Sequence, residues 1–268
     1  MSAATGVAAR RAAGAPFMRV FEHNWLNFRR TWRGYTFTSI VSPILFLTAM
    51  GLGLGPLVDR ASGGVNGVPY LDFLAPGLLV TTAMQAGAGE MTYPILGKIM
   101  WNRIYEAMLS TRLRVADVLV GELAWTTFRL SSVSLLFFVV MTFFGIPRAS
   151  YSFLCVFAGI LTGLAFATPV MAFTATRRRD SGFAALNRFV INPLFLFGGA
   201  FFPITKLPFF LQVVAWLTPL YHGVDLSRGL TRGTITPAAA AVDVAVLLAY
   251  VVGGVLLAVR NLQARLVE

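Results

Sequence analysis

The chain has 268 residues, 57% of them apolar and 12% charged, with 22 Lys and Arg against 11 Asp and Glu. A soluble domain carries about twice that charged fraction. Several apolar runs here reach bilayer-crossing length, so composition excludes a soluble globular protein and points to an all-α integral membrane chain. A lone cysteine, Cys155, excludes an internal disulfide, and two distant histidines, His23 and His222, lack metal-site spacing.

Residues 1–15 are small, basic and Ala-rich, and are expected to be disordered. No short apolar core with a cleavage site follows Arg10 and Arg11, so no secretory signal is expected. Over 16–34, Phe17, Val20, Phe21, Trp25, Phe28 and Trp32 recur at three- and four-residue steps, while Arg19, Glu22, Arg29, Arg30 and Arg33 lie largely elsewhere. That pattern predicts an amphipathic helix in the membrane interface, either a plain anchor or one that also touches a cytoplasmic partner.

Six spans are predicted, at about 36–56, 73–96, 116–144, 151–176, 183–203 and 238–259. Between the second and third, residues 98–122 are too charged to cross a membrane in full. Ile104, Met108, Leu113 and Val115 keep helical spacing there, which predicts a short cytoplasmic helix at about 100–114. The third span carries Glu122 and Arg129, and Glu90 lies at a similar depth near the inner end of the second. Intramembrane charges are costly and usually paired. Glu122 and Arg129 are seven residues apart, on one face, so Arg129 is expected to lean back toward Glu122. The cluster reads either as structural or as a site for substrate or protons.

The run from 186 to 230 fits neither one span nor two. After Pro203, the piece 207–217 gives about 16 Å of helix, about half a crossing. Pro208 opens it, Pro219 closes it, and His222, Asp225 and Arg228 follow. A full span followed by a re-entrant hairpin at about 207–230 is expected, held by neighbouring spans that satisfy its broken backbone.

Orientation follows from the basic residues. With both termini and the even-numbered turns in the cytoplasm, sixteen of the 22 Lys and Arg lie inside and five outside, with Arg129 within a span. The net charge of +11 is thereby a topology signal, and nothing is left over to suggest nucleic acid. No phosphate-binding GxxxxGK[ST] loop exists: at the only Gly-Lys pair, Gly97-Lys98, Thr92 stands where the first Gly belongs and Ile99 replaces the Ser or Thr. The chain is not expected to bind ATP through such a loop.

Two stretches carry a resemblance. One is YEAMLSTRLRVADVLVGE at 105–122, followed by Trp125; the other is FGGAFFPITKLP at 197–208, then Gln212 and PLYHGVDLSR at 219–228. FLAPGLL at 73–79 adds to them. The chain resembles the permease subunit of type-2 ATP-binding-cassette exporters from residue 17 onward, in the branch of lipo-oligosaccharide (nodulation-factor) and drug-export permeases. The resemblance implies a bacterial inner-membrane subunit with both termini cytoplasmic. It pairs with a second permease, identical or related, and docks on a separate cytoplasmic ATPase that holds ATP and Mg. This chain would bind no cofactor of its own and catalyse nothing.

The resemblance also assigns roles to residues. Arg103, Tyr105, Glu106, Met108, Thr111, Arg112 and Arg114 would form a coupling helix seated on the ATPase. Phe21, Glu22, Trp25 and Arg29 would belong to an interface helix touching it. Phe201, Phe202, Pro203, Pro219, His222, Asp225 and Arg228 would form an outer re-entrant gate. Phe195, Phe197, Phe201 and Phe202 offer an aromatic surface to a lipid-like or amphiphilic cargo, or else pack against lipid and neighbours. Two other classes compete. A proton-driven carrier would keep ionisable groups near the midplane, where Arg129 alone is expected. A membrane enzyme would need clustered carboxylates, and Asp117 and Glu122 fall on different helix faces.

Overall fold

The computed structural model describes residues 15–266, so the tail expected to be disordered lies, but for Ala15, outside the described residues. Among the described residues the regular structure is helical, apart from one isolated bridge between Val65 and Val68. The elements are α1 (Pro16–Thr48), α2 (Gly55–Ser62), α3 (Tyr70–Glu90), α4 (Tyr93–Leu96), α5 (Ile104–Leu109) and α6 (Val115–Phe143). There follow α7 (Cys155–Ala175), α8 (Ser181–Leu186), α9 (Asn192–Phe197), α10 (Phe209–Leu217), α11 (Pro219–Arg232) and α12 (Pro237–Leu266). Among the described residues, the π-helical stretches Ala49–Leu54 and Asn187–Ile191 join neighbouring helices without a break, and Gly97–Trp101 continues α4 up to the break at Asn102–Arg103.

Among the described residues four helices are long and apolar enough to cross a membrane: Pro16–Ser62, Val115–Phe143, Ser152–Ala175 and Pro237–Leu266. The expected second and fifth crossings differ from these. The second is α3, whose Leu74, Ala75, Leu79, Val80, Ala83 and Met84 are completely buried. It packs against α6, α7 and α11, and so has protein rather than lipid as its surroundings. The fifth is the shorter apolar helix Ser181–Phe197.

Several boundaries depart from the sequence reading, each for a local reason. The interface helix (16–34) and the first span (36–56) are one continuous α1, which passes through Gly34 unbroken. A single glycine costs a helix only about 1 kcal/mol, and α1 is held along its N-terminal half by α6. There a Cβ on Gly121 would lie 2.5 Å from Val20 Cβ and 2.7 Å from the Phe17 carbonyl oxygen. The second span (73–96) stops at Glu90, because Pro94 has no N–H to continue the ladder. Just past the helix end, the Met91 carbonyl accepts the Thr174 hydroxyl at 2.6 Å.

The cytoplasmic helix (100–114) shrinks to α5, which begins after Arg103 in the left-handed region, φ +47°. The fifth span (183–203) ends at Phe197, because Gly198 and Gly199 follow and Gly199 takes φ +87°. The hairpin (207–230) is two helices, α10 and α11, joined at Thr218–Pro219.

The two ends of the bundle have different chemistry. The end expected in the cytoplasm, called here the basic end, carries Lys98, Arg177, Arg178 and Arg265; Arg265 Nη1 donates to the carbonyls of Ala175, at 2.8 Å, and Arg177 at the end of α7. At the far end Arg148 Nε donates to Asp72 Oδ2 at 2.9 Å, and the Arg148 N–H donates to the Thr231 carbonyl at 3.1 Å. From that end α10 runs inward and α11 runs back out. At their junction the Leu217 carbonyl accepts the Tyr250 hydroxyl. Tyr250 lies about 20 Å along α12 from the far end, so the α10–α11 turn sits roughly halfway down the bundle.

Candidate functional site

At the basic end three elements converge on Glu122. The side chain is buried on α6, and Lys98 Nζ donates to both of its carboxylate oxygens, at 2.7 and 2.8 Å. Asn24 Nδ2 on α1 donates to Glu122 Oε2 at 3.0 Å, while Asn24 Oδ1 accepts from Lys98 Nζ at 2.7 Å. The triangle is closed, each member bonded to the other two. Tyr105, completely buried, brings α5 to the same point. Its hydroxyl lies beside the Glu122 carboxylate but, among the described residues, meets no partner with good hydrogen-bond geometry. Burial first, and then the nearby Glu122 carboxylate, hold its pKa well above the ordinary tyrosine value.

The expected Glu122–Arg129 pair is not formed. Arg129 Nε donates instead to Glu90 Oε1 at 3.1 Å, and its guanidinium lies 4.4 Å from the Tyr35 ring centre and 5.3 Å from that of Phe28. Seven residues of helix separate Arg129 from Glu122 by about 10 Å along the axis, whereas α3 and the Gly97–Trp101 turn bring Glu90 and Lys98 alongside each. Glu90, Arg129, Lys98 and Asn24 line a polar cavity of about 170 Å³ together with Asn27, Thr31 and Trp125. Above it Phe21 and Trp25 stack edge-on against Trp125 and Phe128, so much of the aromatic face expected in the membrane interface lies on α6.

Around Tyr105 the surface is polar and open. Arg103, Glu106, Thr111, Arg112 and Arg114 are exposed, and Met108 is half-buried beneath them. Arg103 and Glu106 approach to 3.8 Å. The Arg114 N–H donates to Asp117 Oδ2 at 2.9 Å, which gives Asp117 a capping role at the start of α6. On α1, Glu22 and Arg29 are exposed.

The residues expected at the outer gate fall into two groups. Phe201 stacks on Phe195 of α9 and Phe46 of α1, with ring centres 5.1 and 5.9 Å away, and Phe202 meets Phe197 at 6.3 Å. Pro203 opens the 3-10 turn Ile204–Lys206. On α11, His222 Nδ1 lies 2.8 Å from Asp243 Oδ1 of α12, and Nε2 lies 3.0 Å from the Trp216 carbonyl of α10. Asp225 is exposed. Arg228 Nε donates to the Phe73 carbonyl at 2.9 Å and Nη2 to the Ala200 carbonyl at 2.7 Å. With Asp225 and Arg228, Tyr221, Trp216 and Arg232 line a cavity of about 440 Å³.

Four residues escaped the sequence reading, each with a faint signal. Asn24 falls in the stripe of Val20 and Phe28, at the four-residue spacing of a buried face. Lys98 reads in sequence as one more basic residue of the cytoplasmic side. Asp243 is an acid six residues into the last long helix, and its Oδ2 is buried without a partner. Asp72, the partner of Arg148, stands just ahead of the FLAPGLL stretch.

Comparison with known proteins agrees with this architecture. The ABC-2 type transporter family matches residues 16–231. Nodulation protein J of Rhizobium leguminosarum bv. viciae is 32% identical over 98% of this chain and 100% of its own length. Nodulation protein J of Rhizobium meliloti (strain 1021) is 32% identical over 85% of this chain and 86% of its own. The inner membrane transport permease YadH of Escherichia coli (strain K12) is 23% identical over 74% of this chain and 75% of its own.

Proposed function

The chain belongs to the ABC-2 type transporter family, and on that premise we propose that it is the permease subunit of an ATP-driven exporter of a lipid-like, glycolipid or amphiphilic drug-like cargo. ATP hydrolysis resides on a separate cytoplasmic ATPase, and a second permease, identical or related, completes the path. The subunit crosses a bacterial inner membrane six times with both termini in the cytoplasm, and α10–α11 is the outer re-entrant hairpin. Its depth supports this last reading: where the half-span turns back level with Tyr250, protein groups satisfy its broken backbone, the Tyr250 hydroxyl at the Leu217 carbonyl and His222 Nε2 at the Trp216 carbonyl.

One observation carries the proposal. Tyr105 is buried on the closed Asn24–Lys98–Glu122 triangle while its neighbours Arg103, Glu106 and Arg112 are exposed. A push on that open surface reaches α1, the Gly97–Trp101 stretch and α6 through buried contacts. Closure of two ATPases on ATP would move the paired α5 segments and tilt these helices, with ATP biasing one of two arrangements. Cargo would pass along the surface of α1, α3 and α9, near Phe195 and Phe201.

The test is co-purification of an ATPase whose turnover rises when this subunit is present. Charge reversal at Glu106 or Arg112 should abolish the stimulation and leave the inserted protein intact; full stimulation in both variants would defeat the coupling role. A proton-coupled carrier is the second reading, and the buried His222–Asp243 pair favours it. Cargo movement in vesicles driven by a pH gradient, with no ATPase present, would put it first.

A further inference from the structure

Among the described residues the far-end cavity carries an excess of positive charge, two arginines against a single acid. Arg228 reaches its wall from α11. Two of its five N–H groups are used, on the carbonyls of Phe73 and Ala200, and its guanidinium lies 3.6 Å from the centre of the Phe73 ring. These partners are neutral dipoles and a ring face. Arg232, one turn further along the same helix face, lines the same cavity. Among the described residues neither arginine has a carboxylate at ion-pair distance. Asp225 is the one acid on the lining, against two arginines.

A guanidinium kept from water without a counter-charge is unfavourable unless an anion meets it, and its planar fork matches a carboxylate, sulfate or phosphate. The cavity, about 440 Å³, has room for such a head group. Trp216 and Tyr221 line it beside the exposed apolar side of α10, where Phe209, Phe210, Val214 and Leu217 offer a surface for an alkyl tail.

We propose that the cavity between α11, residues 203–205 and residues 234–236 is a binding site for an oxyanion, with Arg228 and Arg232 as its two cationic contacts, and that its ligand is the acidic head group of an amphiphile. The amphiphile is the exporter's cargo, or lipid at the exit, so this part rests on the transport reading above. The oxyanion site itself does not.

The test uses the full chain in an uncharged detergent. Thermal unfolding is followed while dodecyl phosphate, inorganic phosphate or uncharged dodecyl glucoside is added, for wild type, Arg232→Gln, Arg232→Lys and Arg228→Gln. Dodecyl phosphate should raise the unfolding temperature of wild type at a concentration at least tenfold lower than for Arg232→Gln, with Arg232→Lys in between and dodecyl glucoside without effect. Arg232 makes no structural hydrogen bond comparable to those of Arg228, so its Gln variant remains informative should Arg228→Gln not fold. If inorganic phosphate matches dodecyl phosphate and the response is lost in Arg232→Gln, the oxyanion site stands and the amphiphile assignment falls. Identical titrations for wild type and Arg232→Gln overturn the site. No ATPase enters this assay, so its failure leaves the coupling proposal intact, and failure of coupling leaves the site intact.

Discussion

Glu122 shows what a buried charge demands. It has two oxygens and three incoming donor contacts, two from Lys98 and one from Asn24. Removing one member of a buried pair leaves the other uncompensated, at a cost of about 3–5 kcal/mol. A double-mutant cycle should therefore return a coupling of roughly 1–3 kcal/mol for Glu122→Ala with Lys98→Ala, and near zero for Glu122→Ala with Arg129→Ala. Denaturant or thermal unfolding in detergent reads both cycles, and equal couplings would contradict the pairing seen here. Tyr105 makes a different demand. Its ring is completely buried while its hydroxyl, among the described residues, lacks a partner with good hydrogen-bond geometry. Tyr105→Phe should stay within about 1 kcal/mol of wild type, and Tyr105→Ala should lose about 3–5 kcal/mol to the cavity it leaves. The pH dependence has a definite sign. The folded-state pKa is raised, so the stabilisation is complete below the ordinary tyrosine pKa and is lost as pH rises above it. Stability of Tyr105→Phe should fall less steeply than that of wild type above about pH 10.

At the scale of elements, small residues set how closely the helices approach. A Cβ on Gly87 of α3 would lie 2.3 Å from the Gly163 carbonyl oxygen of α7, and backbone cannot step aside as a side chain can. Gly87→Ala should therefore push α3 from α7 and lower the yield of folded protein severalfold. Gly53→Ala, with nothing within 4 Å, should leave the yield unchanged. Size-exclusion profiles after extraction compare the two. The ends of α10 were legible in sequence, because Pro208 and Pro219 bracket it. Other ends moved, some at a local break such as Pro94 or Gly198–Gly199 and one because a partner helix carries the chain onward. α1 runs on through Gly34 because α6 supports it, and α3 is the least lipid-like of the long helices because protein surrounds it.

For the whole molecule, the prediction concerns which end faces the cytoplasm. Cys155, the one native cysteine, is completely buried, so single introduced cysteines can be labelled over a quiet background. Ser150→Cys at the far end should react with a membrane-impermeant maleimide in intact cells. Ala107→Cys on α5 should react only after the membrane is opened. The reverse pattern would invert the topology, and with it the assignment of α5 to the ATPase side.

Length, hydropathy and the placement of Pro, Gly and Arg are properties of short stretches, and from them the sequence by itself determined an all-helical membrane chain with a half-length helix at about 207–217 and a cluster of intramembrane charges near 90, 122 and 129. Partner choice among those charges is a property of distance across helices, which no stretch contains. Only the tertiary structure gave Glu122 to Lys98 and Asn24, gave Arg129 to Glu90, placed Asp243 against His222, and brought Arg228 and Arg232 to one cavity. The reason is geometric: along one helix, seven residues hold two charges about 10 Å apart, while a neighbouring helix can bring its own to hydrogen-bonding distance.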